Sequence, residues 1–140
     1  MMIEAILIPL FVQVALTFWL GFWAAGVRYS AVRGGAVRQR EVALREPKWP
    51  PHVLKVQYAY ENQLELPILF YVLVCLLIPT KHADVLFVVL AWVFVVLRLV
   101  HAWVHVTDNH MARRGFVFLA AAVVLAVMWV IFAIRILTGT

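Results

Sequence analysis

Polar and apolar residues in this chain are not interleaved; they are segregated into long blocks. Four apolar stretches, about residues 6–27, 53–78, 85–106 and 116–137, are separated by short polar connections. Each is roughly 20 residues or longer, enough for an α-helix to cross a hydrocarbon core of about 30 Å. The stretches are apolar on every face and lack the in-out alternation of a transmembrane strand, so a barrel is a poor alternative. Short connections between such helices force neighbours to run antiparallel. The pattern therefore predicts an all-α, integral membrane, up-down four-helix bundle, formed by residues 1–140 as a single domain.

Proline positions refine the boundaries. Pro47, Pro50 and Pro51 precede the second span and Pro79 follows it, as expected of residues that cannot continue a helix. Pro67 lies inside that span. Its ring clashes with the carbonyl of Gln63, which predicts a bend in the helix at this point. The opening run Met1-Met2-Ile3-Glu4 lacks the basic segment of a signal peptide, and no cleaved leader is expected.

Composition agrees. The chain is 66% hydrophobic and 14% charged over 140 residues, against about half and a quarter for soluble domains. There is too little polar surface to cover the molecule in water, which excludes disorder, a soluble enzyme core and a disulfide-stapled secreted domain. The one cysteine, Cys75, has no intramolecular partner and sits in an apolar run, where a buried inert thiol is expected.

The net charge of +5 is placed as lipid-facing loops place it, not as nucleic-acid binding requires. Arg28, Arg33, Arg38, Arg40, Arg45 and Lys48 fall around the first connection, and Arg113 and Arg114 flank the third. The N-terminus has no basic residue, and the Thr80–Asp84 turn carries only Lys81. By the positive-inside rule both basic connections face the cytoplasm and both termini lie on the other side. Arg135 is expected to snorkel to that far interface. A bacterial inner membrane and an endoplasmic reticulum would give the same charge pattern; the bacterial inner membrane is the favoured expectation.

Within the spans, the informative residues are ionisable groups where lipid should exclude them. Tyr58, Asn62 and Glu65 follow a spacing of four then three and share one helical face, with Glu61 one position off it. Arg98, His101 and His105 repeat the rule in the third span, with Asp108 a turn beyond. Such groups cost several kcal/mol in a membrane unless paired or hydrated. The two stripes are therefore expected to face one polar cleft towards the cytoplasmic end. The bland alternative is that they glue helices together, Asn62 by hydrogen bonding and Arg98 by neutralising Glu65. His101 and His105 have a spacing that can present two imidazoles to a metal, with His110 or Asp108 as a third ligand. No cysteine cluster or second histidine pair accompanies them, so no metal or haem is expected. The six tryptophans are expected to pack at interfaces and against lipid.

The run Glu61-Asn62-Gln63-Leu64-Glu65-Leu66-Pro67-Ile68-Leu69-Phe70 resembles the signature of the MAPEG family, the membrane-associated proteins in eicosanoid and glutathione metabolism. Arg98-Leu99-Val100-His101-Ala102-Trp103-Val104-His105 is similar to the family's Arg-x-x-His-x-x-x-Tyr segment, and Arg114 matches a later arginine. The resemblance, to a bacterial-type member, covers nearly the whole chain. It implies a homotrimer with glutathione as co-substrate, held between subunits near the cytoplasmic face, and a lipophilic second substrate from the bilayer. Carried over, Asn62 and Glu65 would hold the tripeptide backbone and amino group, and His101 would line the site. Arg28 is placed like the family arginine that contacts the thiol or a carboxylate. Arg114, or its neighbour Arg113, would be the catalytic residue that stabilises the thiolate, since an adjacent guanidinium favours the charged sulfur.

Two positions depart from the family pattern: Tyr58 replaces an arginine for a glutathione carboxylate, and His105 replaces a tyrosine. With Tyr58, Lys55, Arg98 and the histidines in its place, the carboxylate clamp is weaker. Three functions are consistent with these residues. The first is a glutathione-dependent transferase or peroxidase. The second is a non-catalytic lipid- or thiol-binding member of the family. The third is a small multidrug exporter, for which the first span lacks the required embedded acid.

Overall fold

The computed structural model describes residues 3–36, 49–107 and 111–140. The loop residues Arg38, Arg40, Arg45, Pro47 and Lys48, and the candidate ligands Asp108 and His110, lie outside the described residues. The elements are α1 (Ile3–Arg33), α2 (Pro51–Asn62), α3 (Leu66–Leu77), α4 (Val85–Val106) and α5 (Met111–Thr138). Four segments are long and apolar enough to cross a membrane, with α2 and α3 together forming one of them.

The expected and observed boundaries agree over 85–106 and differ elsewhere. α1 and α5 run past the apolar blocks into their polar flanks, because the backbone ladder continues until a residue stops it. At the end of α1 that residue is Gly35, whose φ of 79° is open to glycine at little cost. The Ala36 amide then bonds the Ala31 carbonyl at 3.0 Å, and the Gly35 amide bonds that of Val32 at 3.2 Å, the two bonds of a Schellman cap. α4 starts at Asp84, whose Oδ1 accepts the Phe87 amide at 3.2 Å and satisfies a donor left over at the helix start.

The second span departs most from expectation. It is two helices, not one bent helix, and the interruption covers residues 63–65, upstream of Pro67. Pro67 sits in the first turn of α3, where its missing N–H is no loss.

Two contacts fix the antiparallel order. Arg135 near the end of α5 meets Asp84 at the start of α4 at 2.7 Å. Lys55 near the start of α2 donates to the Thr107 carbonyl at the end of α4 at 3.2 Å. α4 packs mainly against α5 and α1, and α1 also lies along α2.

The apolar core occupies the half of the bundle away from the Arg28–Arg114 end. Phe70 of α3 stacks on Phe94 of α4 with ring centroids 4.8 Å apart. Leu73, Leu77, Phe87, Ala91, Leu125 and Met128 complete this buried cluster. The outward faces are themselves apolar, with Phe18 62% and Phe22 74% exposed, as befits helices solvated by lipid. Cys75 corrects an expectation: it is exposed, not buried. Arg135 does not merely reach for an interface; it closes on Asp84 and its guanidinium lies 5.1 Å from the Phe87 ring centroid.

Candidate functional site

The break in the second span builds the site. Through it the amides of Gln63, Leu64 and Glu65 bond carbonyls three residues back instead of four, at 2.9, 3.0 and 3.3 Å. The Asn62 carbonyl takes the Glu65 amide in this way and keeps its second lone pair for another donor. Arg98 of α4 uses it: its Nη2 donates to the Asn62 carbonyl at 3.3 Å and also to Asn62 Oδ1. A neighbouring helix thus braces the interrupted stretch at its first turn.

Beside this junction lies a cleft of about 440 Å³. One wall carries Tyr58, Glu61 and Asn62 from α2 and Glu65 from the break. The other carries His101 and His105 from α4, with Arg114, Gly115 and Phe118 from the start of α5. The imidazoles are nearly perpendicular with centroids 5.7 Å apart, and His101 also lies 5.9 Å from the Phe118 ring. They are 2% and 5% exposed, respectively, yet the Nδ1 atom of each is without a hydrogen-bond partner among the described residues. Arg98 is wholly buried behind them, with its Nε and Nη1 also unpartnered there. Buried donors and acceptors are costly to leave unmade, and four such atoms are concentrated at this wall and behind it.

The structure thus brings together Tyr58, Asn62, Glu65, His101, His105 and Arg114 of the residues singled out from sequence. Arg98 supports them from behind the wall, with Asn62 and not a carboxylate as its hydrogen-bond partner. Of the two adjacent arginines, Arg114 lines the cleft and Arg113 does not. Lys55 is committed to the Thr107 carbonyl. Arg28 is elsewhere. It lines a second hollow of about 720 Å³ between α1 and α2, with Phe18, Phe22, Trp49 and Tyr60. There its guanidinium lies 5.0 Å from the centroid of the Trp49 ring, a cation–π contact. Trp49 is therefore a buried packing residue and not an interfacial anchor. Glu61 lines both hollows. Among the described residues no group of three or more histidine, cysteine or acidic side chains is placed to hold a metal.

A sequence model of the MAPEG family matches residues 6–134. The chain belongs to the MAPEG family. The family includes glutathione transferases and peroxidases as well as non-catalytic members. No curated protein and no solved structure matches the sequence significantly. Tyr58 and His105, the two positions read from the sequence as departures from the family pattern, both fall on the cleft lining.

Sequence reasoning missed Gln13 and Gln63, both fully buried and bonded to one another at 2.8 Å, and Phe118, which floors the cleft. Gln13 carried a usable signal, an amide midway along an otherwise apolar span. Phe118 carried none, since an aromatic in a membrane helix is ordinary.

Proposed function

We propose that this MAPEG protein binds glutathione in the cleft and activates its thiol towards a lipophilic electrophile or hydroperoxide. The observation that carries the reading is the polarity of the two walls. Glu61 and Glu65 stand on one side, and Arg114, His101 and His105 on the other. That arrangement complements a small zwitterionic peptide: the acids take its ammonium, while the guanidinium and imidazoles take its carboxylates and sulfur. Asn62 offers hydrogen bonds to the peptide backbone. Arg114 favours the thiolate by direct electrostatic attraction, and the thiolate is the nucleophile. The sulfur forms a bond to the electrophilic carbon as a leaving group departs with its electron pair or, in an addition, as the displaced pair moves onto the acceptor and takes a proton. With a hydroperoxide it takes the outer oxygen as the O–O bond breaks, the alkoxide leaves and is protonated to the alcohol, and a second glutathione thiol converts the sulfenic acid to the disulfide with loss of water.

Arg28 enters this reading through assembly. Within one chain it opens onto a different hollow, so a homotrimer with glutathione between subunits gives it a route to a neighbour's cleft. The basic end of the bundle, and with it the cleft, faces the cytoplasm, in a bacterial inner membrane or an endoplasmic reticulum.

The second reading, a non-catalytic lipid- or thiol-binding protein, draws on Tyr58, which supplies a neutral hydroxyl where the family resemblance implies an arginine. One measurement separates them. Glutathione added to the purified protein should produce the ultraviolet absorbance of a thiolate, and Arg114→Ala should abolish it. A glutathione-dependent rise in unfolding temperature without the thiolate band favours the binding protein; neither signal sinks the glutathione reading altogether.

A further inference from the structure

The break in the second span is gripped from two sides. α4 holds it through Arg98 on Asn62, which belongs to the cleft. α1 holds it through a pair of glutamines that does not touch the cleft at all. Gln13 Nε2 donates to Gln63 Oε1 at 2.8 Å, and Gln63 Nε2 donates to the Ala59 carbonyl at 3.0 Å. That second bond is a substitution. In a regular helix the Ala59 carbonyl would receive the backbone amide of Gln63, but that amide has moved to Tyr60 at 2.9 Å, and the residue's own side chain takes over. One turn further along α1, Thr17 bonds back to the Gln13 carbonyl at 3.0 Å and lies 3.4 Å from the Tyr71 hydroxyl of α3. α1 therefore engages both the break and the half-helix beyond it.

We propose that Gln13 and Gln63 are positioning residues, which set the register of the break and so the placement of Asn62 and Glu65 in the cleft. Stability alone is a poor reason for the pair. Both side chains are fully buried, and Gln13 Oε1 is left without a partner among the described residues. Apolar side chains of similar size would fill the same space without a stranded acceptor. What the amides add is direction: only one alignment of α1 against residues 63–65 makes the bond, and Asn62 and Glu65 flank Gln63 in the chain. Sliding or straightening the break would carry both away from His101 and Arg114.

The affinity readout rests on the glutathione reading above, and a second readout does not. Gln13→Met should weaken glutathione binding about tenfold by calorimetry, the equivalent of one net hydrogen bond's worth of misplacement. It should also speed hydrogen exchange at the amides of residues 63–66. Gln13→Met with Gln63→Met removes both partners of the bond between helices but also the donor to the Ala59 carbonyl, so the unfolding temperature should recover in part while affinity stays weak and exchange stays fast. That split is the signature of positioning, since a purely structural pair would recover stability and affinity together. Recovery of both in the double variant overturns the proposal, as does a Gln13→Met protein that binds like the parent. If Gln13→Met does not fold, the double variant carries the test by itself. If the unmodified protein shows no glutathione binding, the functional reading alone fails, and exchange at residues 63–66 decides: acceleration in the variants supports positioning, and no change refutes it.

Discussion

Two arginines inside membrane-spanning helices are treated in opposite ways by this fold. Arg135 is paired, with Asp84 at 2.7 Å on one side and the Phe87 ring on the other. Arg98 is more deeply buried and less well served: Nη2 bonds Asn62, while Nε and Nη1 have no partner among the described residues. The first closes the end of the bundle that holds the apolar core. The second sits behind the polar-lined cleft, in the half beyond that core. An arginine paired with an acid contributes to the fold, whereas one kept partly unsatisfied carries a cost that the rest of the fold must offset.

The largest test of this contrast is Arg98→Met. Removing a partly unpartnered buried guanidinium should leave the unfolding temperature unchanged or higher, since half-buried Asn62 can regain its bonds from water in the cleft. Glutathione affinity should nonetheless fall by something on the order of a hundredfold; a variant that keeps its affinity, or loses stability first, erases the distinction. At the other arginine the effects are on the fold. Asp84→Ala removes both the α4 cap and the ion pair and should cost about 2 kcal/mol of stability, with glutathione titrations unaffected. Asp84→Asn and Arg135→Met should each cost about 1 kcal/mol, because asparagine still caps the helix and only the partly exposed pair is lost. Denaturation in detergent micelles checks this ranking.

Acid should produce the smallest change. Burial pushes the Asp84 carboxyl up, but the Phe87 amide and the Arg135 guanidinium outweigh it and hold the group below its ordinary value of 3.8. A depressed carboxylate contributes stability that is complete above 3.8 and disappears as pH falls through the lower folded value. The unfolding temperature should therefore hold steady down to about pH 4 and drop below it, and Arg135→Met should flatten that drop. An equally steep fall in the variant would show that other carboxylates dominate.

The contrast also explains how far the sequence could be read. Long apolar blocks, their turns and the basic connections specify spans and order, and α4 was legible to the residue because Asp84 and Thr107 bound it sharply. The convergence of Tyr58, Asn62 and Glu65 with His101 and His105 was legible from helical spacing alone. The break was not. Proline predicts the clash with a carbonyl four residues back, but whether the chain bends or splits depends on the neighbours that hold this stretch. Those neighbours, Gln13 and Arg98, come from elsewhere in the chain. Arg28 illustrates the same limit. Its place at the basic end is written in the sequence, whereas the hollow it faces depends on how α1 lies across α2. Cys75 was misread because apolar surroundings in the sequence do not separate a packed interior from a lipid-facing surface.

The interruption at residues 63–65 has an electrostatic corollary. Splitting one crossing into α2 and α3 places two helix termini inside the hydrophobic slab, the negative end of one dipole facing the positive end of the next. Arg98 donates its bonds at the C-terminal end of α2, and Glu65 stands at the N-cap of α3, each charge beside the pole that attracts it. Such placements are worth about 0.3–1 kcal/mol apiece, and they make an acid and a base tolerable at a depth where an unbroken helix would offer neither of them any compensation.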